Sequence, residues 1–286
     1  MEAEERNQIS AMKTSVLMSV YENDCADYLR LALESIYDHQ TRKPDEIVVV
    51  FDGPLTEELY AVLDDFKRGK ENVVKYIPLS ENRGLSAALR YGLEKCTNEL
   101  MLRMDSDDIC FPERFEEMVR LFEKHPELEV AGAFATTIDS EGKEERALTV
   151  PTTEEDIYKK VWTCPFVHPT VCFKKSALMR VGSYSENPGP RQDDYELWFR
   201  VVAGGLRCMN LNKSLLYYRF TSGNVARNNV RVGWARFKVG IRGAWKCKCA
   251  LIAYIGIAYP LFRSLMPKFI KEWLYKMSDK FNPRVK

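Results

Sequence analysis

Between residues 14 and 136 the chain alternates short apolar runs with segments of helical periodicity, and this alternation limits the fold more than any other feature. The apolar runs are rich in β-branched residues, whereas the intervening segments repeat apolar residues three and four positions apart. Strands and helices that alternate at this spacing form βαβ crossovers and a mostly parallel sheet flanked by helices. The predicted strands are residues 14–20, 46–51, 73–79, 100–104 and 128–136, and the predicted helices are residues 28–39, 56–67, 84–95 and 112–125.

Polar residues follow the first three predicted strands, where an open α/β sheet of this kind binds ligands. They are Tyr21 and Glu22, then Asp52-Gly53, then Asn82-Arg83-Gly84. Taken singly, Asp52-Gly53 also fits an ordinary turn and Asn82-Arg83-Gly84 a helix start. Together they offer a carboxylate for a nucleotide base and a cation for phosphate. Neither glycine-rich phosphate-binding motif is present, so a diphosphate in this crevice would be held by a metal and arginine.

The fourth predicted strand ends in three aspartates, within the segment Arg103-Met104-Asp105-Ser106-Asp107-Asp108. Residues two apart on an extended backbone point the same way, so Asp105 and Asp107 can present oxygens to one point. Such a pair suits Mg²⁺ or Mn²⁺, which take oxygen ligands and need few carboxylates when a substrate phosphate supplies the others. The alternative is an acidic turn that caps a helix beginning near Pro112.

Five short motifs resemble, in their order, those of the family 2 glycosyltransferases with the GT-A fold. The resemblance covers residues 14–218 and is strongest to the bacterial enzymes that build capsule, exopolysaccharide (amylovoran type) and O-antigen repeat units. It implies a GT-A domain with a Rossmann-like sheet and a nucleotide-sugar donor, commonly UDP-linked, bound through a metal. The motifs are Ser19-Val20-Tyr21-Glu22, Asp52-Gly53, Asn82-Arg83-Gly84-Leu85, Arg103-x-Asp105-Ser106-Asp107-Asp108 and Asp193-Asp194-Tyr195-Glu196-Leu197-Trp198.

The resemblance also implies site roles. Asp105 and Asp107 would hold the Mn²⁺ or Mg²⁺, with His168 as a third ligand, although a lone histidine also fits a structural role. The acidic pair at the start of a later helix is usually Glu-Asp in the family, and its second member resembles the catalytic base. Asp194 is therefore the favoured base and Asp193 the alternative, and either one also fits a helix cap. The predicted donor-binding residues are Tyr21, Glu22, Asp52, Asn82, Arg83, Gly84, Arg103, Asp105 and Ser106.

The predicted reaction is attack of an acceptor hydroxyl on the anomeric carbon as the nucleotide diphosphate leaves. A base on the opposite face of the sugar implies inversion of configuration. A metal, aided by Arg83 or Arg103, would stabilise charge on the leaving group.

Charge is distributed unevenly along the chain. Residues 227–286 carry fourteen Lys and Arg against only Glu272 and Asp279, a net charge of +12, which leaves −11 for residues 1–226. The apolar run at residues 250–262 is too short to cross a bilayer, and it contains Pro260, which is expected to break it. It fits a helix in the interface of an anionic membrane, with Trp245, Tyr254, Tyr259 and Trp273 at headgroup depth. The alternative is a helix packed on the catalytic domain with a solvated basic face.

These observations predict a disordered leader (residues 1–12), a GT-A domain (13–226) and a basic amphipathic helical tail (227–286). The nucleotide-binding half of the domain would be residues 13–110 and the acceptor half residues 111–226. The sequence has no N-terminal apolar segment to act as a signal peptide, and its eight cysteines lack zinc-site spacing. We therefore expect a cytoplasmic enzyme, peripheral at the inner face of the cell membrane, with a lipid-linked or saccharide acceptor.

Three other functions are alternatives. A nucleic-acid-binding protein with a basic tail would leave the acidic residues at the strand ends unexplained, so no nucleic-acid partner is predicted. A nucleotidyltransferase also uses paired carboxylates, but it would bring a glycine-rich basic loop after the first strand, and residues 19–23 do not form one. A third alternative is a catalytically inactive family member that acts as a scaffold. Only an activity measurement distinguishes it from an active enzyme.

Overall fold

The computed structural model describes residues 12–220 and 229–266 of the chain. Its first half alternates strands and helices as predicted, and three of the four predicted strands have the predicted bounds. The elements are β1 (Thr14–Val20), α1 (Ala26–Ile36), β2 (Glu46–Phe51), α2 (Glu57–Lys67), β3 (Val74–Pro78), α3 (Leu85–Lys95) and β4 (Leu100–Met104).

These four strands form one parallel layer in the order β3-β2-β1-β4. Val16 at the centre of β1 pairs with Ile47 on one side and Leu102 on the other, and all three side chains are buried. Strands buried on both faces read as continuous apolar runs, which explains the sequence pattern. Their carboxyl ends therefore lie on one rim of the sheet.

The second half of the domain continues the same sheet with mixed strand directions. Its elements are β5 (Ile109–Cys110), α4 (Arg114–Lys124), β6 (Val130–Ile138), β7 (Glu144–Leu148), α5 (Glu154–Lys159), β8 (Cys172–Lys174), α6 (Lys175–Arg180), α7 (Asp193–Ala203) and β9 (Cys208–Arg219), with short 3-10 turns at Val161–Thr163 and His168–Thr170. The sheet runs from β4 through β8, β6 and β9 to β5, and β7 pairs with the C-terminal part of β6. The β8 strand is antiparallel to both neighbours, and β9 is parallel to β6. Mostly parallel pairing thus describes the sheet formed by residues 13–110, whereas the pairing of the strands that follow is mixed.

Two predicted elements are displaced along the chain. The first helix begins two residues before the predicted residue 28 and ends at Ile36, because the N–H groups of Tyr37 and His39 both turn back to the carbonyl of Glu34. The β6 strand begins at Val130 and not at residue 128, because a turn after α4 bonds the Leu128 N–H to the carbonyl of His125.

Apolar residues fill both faces of the sheet. One layer contains α1, α2 and α4, and the other contains α3 and α7. Trp198 of α7 is among the largest fully buried side chains and packs against Phe166, with ring centroids 4.6 Å apart. This packing fixes α7, and with it the acidic pair at its start, against the sheet.

Two further helices follow, α8 (Val230–Lys246) and α9 (Leu251–Leu265). The α8 helix packs on α7, and α9 packs on α8 and on the turn at Val161–Thr163. The α9 helix continues through Pro260, so the predicted break is wrong: the helix accommodates the missing N–H. No helix within residues 12–220 and 229–266 has the length and apolar character needed to cross a bilayer. The predicted leader, apart from Met12, and Trp273 lie outside the described residues, as do the start and end of the predicted tail.

Candidate active site

Three aspartates after β4 form one carboxylate cluster. Oxygen atoms of Asp105, Asp107 and Asp108 all lie within 4.8 Å of one another. Asp107 is exposed, Asp105 half-buried and Asp108 buried, so the cluster opens toward solvent on one side. The sequence predicts Asp105 and Asp107 as metal ligands because residues two apart on a strand point the same way. It gives no role to Asp108, which the turn after β4 brings alongside them.

The electrostatics of this cluster suit a cation. Asp108 Oδ1 accepts a hydrogen bond from the backbone N–H of Arg219 at 2.8 Å, whereas its Oδ2 is buried with no hydrogen-bond partner among the described residues. Burial first, and then the charges of Asp107 and Asp105, raise the pKa of Asp108 well above its usual value. Loss of water around the Asp107 carboxylate, and then the charge of Asp105, raise the pKa of Asp107 to about 6. An oxygen-only donor set with an orphaned buried acceptor is the chemistry that Mg²⁺ and Mn²⁺ select.

Arg103 and His168 lie behind the cluster. The fully buried Arg103 guanidinium forms an ion pair with the Asp105 carboxylate. The His168 ring is buried, and its Nε2 is 3.0 Å from the hydroxyl of Tyr184. Burial, and then the charge of Arg103, hold the pKa of His168 well below its usual value, so the ring is neutral. The carboxylate cluster does not include His168, and direct metal ligation through Nε2 would displace the contact with Tyr184.

Arg219, at the end of β9, anchors the loop that carries Asp105, Asp107 and Asp108, and it was missed from the sequence. Its Nε donates to the carbonyl of Asp107 at 2.9 Å, and a second guanidinium nitrogen donates to the carbonyl of Asp139 at 2.9 Å. The guanidinium lies 4.0 Å from the ring centroid of Tyr28, whose hydroxyl donates to the carbonyl of Ser140 at 2.9 Å. Arg219 thus joins α1, the β6–β7 turn and the loop after β4.

Asp24 links the loop after β1 to the same aspartate loop and was also missed. Its Oδ2 accepts hydrogen bonds from the Tyr21 N–H at 3.1 Å and the Ser106 hydroxyl at 2.8 Å. Burial raises the pKa of Asp24 to about 7 against the effect of these two bonds, and the charges of Asp107 and Asp105 act in the same direction as burial. Of the residues predicted after β1, Tyr21 is half-buried and Glu22 is exposed.

Asp52, at the end of β2, organises the loop before α3. Its two oxygens accept hydrogen bonds from the N–H groups of Arg83 and Gly84, at 2.7 and 3.0 Å. Gly53 has a left-handed φ of +89°, and a Cβ at this position would lie 2.8 Å from the backbone nitrogen of Asn82. Only glycine lets the two loops approach this closely. Each carboxylate oxygen of Asp52 retains a second lone pair for a ligand.

The acidic pair at the start of α7 has two different environments. Asp194 is half-buried; its Oδ1 accepts from the Tyr195 N–H at 2.7 Å and its Oδ2 from the Cys164 thiol at 3.2 Å. Cys164 adopts a left-handed φ of 64°, an uncommon backbone conformation for a residue with a side chain. Asp193 faces the start of α3. Burial raises the pKa of Asp193, partly offset by Ser86.

The α7 pair and the carboxylate cluster act on the same two tyrosines. Burial first, and then the charges of Asp108, Asp105, Asp107 and Asp194, raise the pKa of Tyr218. Burial raises the pKa of Tyr184 against the charge of Arg103, and the charges of Asp105 and of both members of the α7 pair act in the same direction as burial. We therefore infer that residues more than eighty positions apart in sequence lie near one another at the carboxyl rim of the sheet.

Comparison with known proteins assigns the chain to a family of glycosyltransferases. The sequence profile of "Glycosyl transferase family 2" matches residues 15–186, more than half of the chain, which therefore belongs to this family. The amylovoran biosynthesis glycosyltransferase AmsE of Erwinia amylovora is 37% identical over 273 residues, which cover 93% of this chain and 99% of AmsE. The UDP-Gal:alpha-D-GlcNAc-diphosphoundecaprenol beta-1,3-galactosyltransferase of Escherichia coli is 31% identical over 271 residues, covering 92% of this chain and 95% of that enzyme.

Solved structures show the same fold. S. aureus TarS 1–349 in complex with UDP-GlcNAc matches with a TM-score of 0.65 at 17% identity, over 88% of this chain and 72% of TarS 1–349. The mannosyltransferase PcManGT from Pyrobaculum calidifontis, in complex with GDP-Man and Mn²⁺, matches with a TM-score of 0.59 at 15% identity, over 96% of this chain and 81% of that one. These matches confirm the predicted GT-A fold, and the family membership confirms the predicted transferase class.

Proposed function

We propose that this protein transfers a sugar from a nucleotide-sugar, with UDP as the nucleotide, to a hydroxyl of a lipid-linked saccharide during surface polysaccharide biosynthesis. The observation that carries the proposal is the convergence of the α7 carboxylate Asp194 and the cluster of Asp105, Asp107 and Asp108 on one crevice. A glycosyl transfer needs a base on one side of the anomeric carbon and a stabilised leaving group on the other. This crevice has groups for both.

The donor nucleotide would lie along the loops after β1, β2 and β3. Asp52 would accept a hydrogen bond from the N3–H of uracil, which cytosine lacks, through a lone pair that the loop amides leave unused. Arg83 is exposed in the loop that Asp52 organises, where its guanidinium can meet the diphosphate. Binding of UDP-GlcNAc by the structural relative TarS supports this choice of nucleotide.

Asp105 and Asp107 would hold a divalent ion, with the orphaned Oδ2 of Asp108 available to the same site. When bound, the ion supplies positive charge to the diphosphate leaving group. The protein's own contribution is positional: Arg219 fixes the backbone of this loop, and Asp24 fixes it through Ser106. His168 remains a candidate ligand through Nδ1, or through Nε2 in a state in which its ring has left Tyr184.

Asp194 would accept the proton of the acceptor hydroxyl. Its Oδ1 is held by the N–H of Tyr195 and its Oδ2 by the thiol of Cys164, so the carboxylate is oriented before a substrate arrives. Asp193 faces the start of α3 and would contact the donor sugar from that side. A base opposite the leaving group leads to direct displacement with inversion at the anomeric carbon.

The names of two relatives support the proposed acceptor class. The E. coli relative is named for an acceptor that is a sugar linked through diphosphate to undecaprenol, and AmsE is named for amylovoran biosynthesis. A lipid-linked acceptor would place the reaction at the inner face of the cell membrane, with the enzyme bound peripherally.

A thermal stabilisation screen tests the donor. Purified protein is heated with UDP-, GDP- and dTDP-sugars in the presence of Mn²⁺ or of a chelator, because a ligand that binds only the native state raises its melting temperature. We expect UDP-sugars with Mn²⁺ to stabilise it most. The stabilising donor is then incubated with an undecaprenol-type saccharide acceptor, and UDP release is measured. Donor binding without transfer to any acceptor in a panel would instead identify an inactive scaffold.

A further inference from the structure

The outer face of α9 is an apolar surface that has no packing partner within residues 12–220 and 229–266. Leu251, Ile255, Phe262 and Leu265 are 84, 68, 62 and 64% exposed, and Ile252 lies beside them. Their spacing places them along one side of the helix, whereas Ala253 and Ile257 on the other side are buried. Large apolar side chains grouped on one exposed face mark an interaction surface.

Packing on the inner side fixes which face of α9 points outward. A Cβ on Gly256 would lie 2.0 Å from the ring of Trp162, and Ile257 packs closely on Gly240 of α8. These close approaches hold the helix in a single rotation about its axis. The exposed face is therefore a consequence of the tertiary structure.

The two helices that carry this face contain only positive charge. Residues 229–266 contain seven basic residues and no Asp or Glu, although Arg236 stacks inward on the ring of Tyr195. Trp245, near the end of α8, is 69% exposed, and Lys246 and Lys248 beside it in the sequence are also exposed. An apolar stripe with an aromatic residue at its edge and a basic border matches the cross-section of an anionic lipid leaflet. The basic residues are Arg231, Arg236, Lys238, Arg242, Lys246, Lys248 and Arg263.

We propose that α9 lies in the interface of an anionic bilayer, with this outer face inserted among the acyl chains. At 15 residues the helix is about 22 Å long, shorter than the hydrocarbon core of about 30 Å, so it lies in the interface and does not span. A second copy of the chain is the weaker fit. Self-association would bring two basic borders together without a compensating acid, and like charges repel.

The position of α9 relates this surface to the crevice. Trp162, which contacts α9, accepts a hydrogen bond on its carbonyl from the Tyr195 hydroxyl at 3.0 Å, and Cys164, two residues further on, contacts Asp194. If α9 binds the membrane, the side of the crevice formed by α7 lies closest to the membrane surface. A lipid-linked acceptor would approach Asp194 from the leaflet, and a water-soluble donor would approach the β1–β3 rim. This inference rests on the proposed function for the acceptor, whereas the docking itself has an independent test.

Vesicle flotation of the full-length protein provides that test. The wild type is compared with the double variant Leu251→Glu/Ile255→Glu, with each of its two single variants, and with Leu31→Glu, a control that matches the single variants in charge and lies at a 42% exposed leucine of α1 in the other helix layer. We expect binding to vesicles that contain phosphatidylglycerol, weaker binding at high salt, and little binding to phosphatidylcholine alone. The double variant should bind at least about tenfold more weakly, because it loses two inserted side chains and gains two negative charges, and the control should bind like the wild type.

Several outcomes would overturn the proposal. They are equal binding by the double variant and wild type, no wild-type binding at low salt on anionic vesicles, and a concentration-dependent dimer that the double variant abolishes without any lipid binding. Melting temperatures of the variants test whether unfolding causes a loss of vesicle binding. We expect them to match the wild type, because both substituted residues are exposed. Donor stabilisation is measured on the same samples: donor binding without flotation removes only the membrane docking, whereas flotation without donor binding removes the proposed function.

Discussion

Replacement of Gly53 by alanine tests how the loops at the end of β2 and β3 create the donor site. The added Cβ meets two obstacles: a left-handed φ of +89°, and the Asn82 backbone nitrogen at 2.8 Å. Gly69 supplies the matched control, because it has a left-handed φ of +75° but no neighbouring atom within 4 Å of the position that a Cβ would occupy. The difference between the two variants isolates the close approach.

The expected magnitudes follow from these two terms. The left-handed backbone alone costs an alanine about 1–2 kcal/mol, so Gly69→Ala should lower the free energy of unfolding by about that amount. Gly53→Ala adds an overlap with backbone, which brings the expected loss to about 2–5 kcal/mol. Relief of the overlap must move Asn82, and the N–H groups of Arg83 and Gly84 then move relative to Asp52. A displaced Asp52 would also lose its proposed hydrogen bond to the uracil. The loss of one charge-assisted hydrogen bond lowers UDP affinity by about tenfold or more.

Urea unfolding gives the stability of each variant, and calorimetry with UDP and Mn²⁺ gives its affinity. We expect Gly69→Ala to bind UDP like the wild type and Gly53→Ala to bind it more weakly. Equal stability losses in the two variants, together with unchanged UDP affinity in Gly53→Ala, would refute the argument that the contact with Asn82 positions the donor loop.

Three further predictions concern single carboxylates. Asp194→Asn keeps the side-chain shape but removes the proton acceptor, so turnover should fall by about 100-fold or more with donor affinity little changed; the same loss in Asp193→Asn alone would transfer the base role to Asp193. Asp52→Ala should weaken UDP binding in calorimetry, and an unchanged dissociation constant would mean that the uracil lies elsewhere. Folding raises the pKa of Asp24 from 3.8 to about 7, so between these values the native state holds a proton that the unfolded chain has lost. The metal-free protein should therefore lose stability as pH rises from about 4 to about 7, and Asp24→Asn should reduce that loss; parallel melting curves for the two proteins across this range would contradict the assignment.

The first half of the domain, residues 13–110, was predictable because its information is local. The strands β1, β2 and β4 are buried on both faces, so each contains a run of three to five consecutive apolar residues. The residues that follow these strands must share a rim once the strands are parallel. This reasoning placed Asp105 and Asp107 together without any knowledge of the rest of the chain.

The supporting residues were not predictable because their partners are distant in sequence. Arg219 bonds to Asp108 across 111 positions, and Asp24 bonds to Ser106 across 82. Nothing in the spacing near Arg219 marks it, since the pairing of β9 with β6 and with β5 carries it to the aspartate loop. The continuation of α9 through Pro260 was equally hidden, because tertiary packing on Trp162 overrides the local preference.

The central claim is that the aspartate cluster binds the donor through a divalent ion, and calorimetric titration of UDP tests it most directly. UDP is titrated into wild type, Asp105→Ala, Asp107→Ala and the control Asp64→Ala, an exposed acid on α2, each with Mn²⁺ and with a chelator. We predict that the wild type and Asp64→Ala bind UDP only with Mn²⁺ and that both cluster variants lose this binding while they retain cooperative unfolding. Equal UDP affinity with and without Mn²⁺, or unchanged Mn²⁺-dependent affinity in both cluster variants, would contradict the claim.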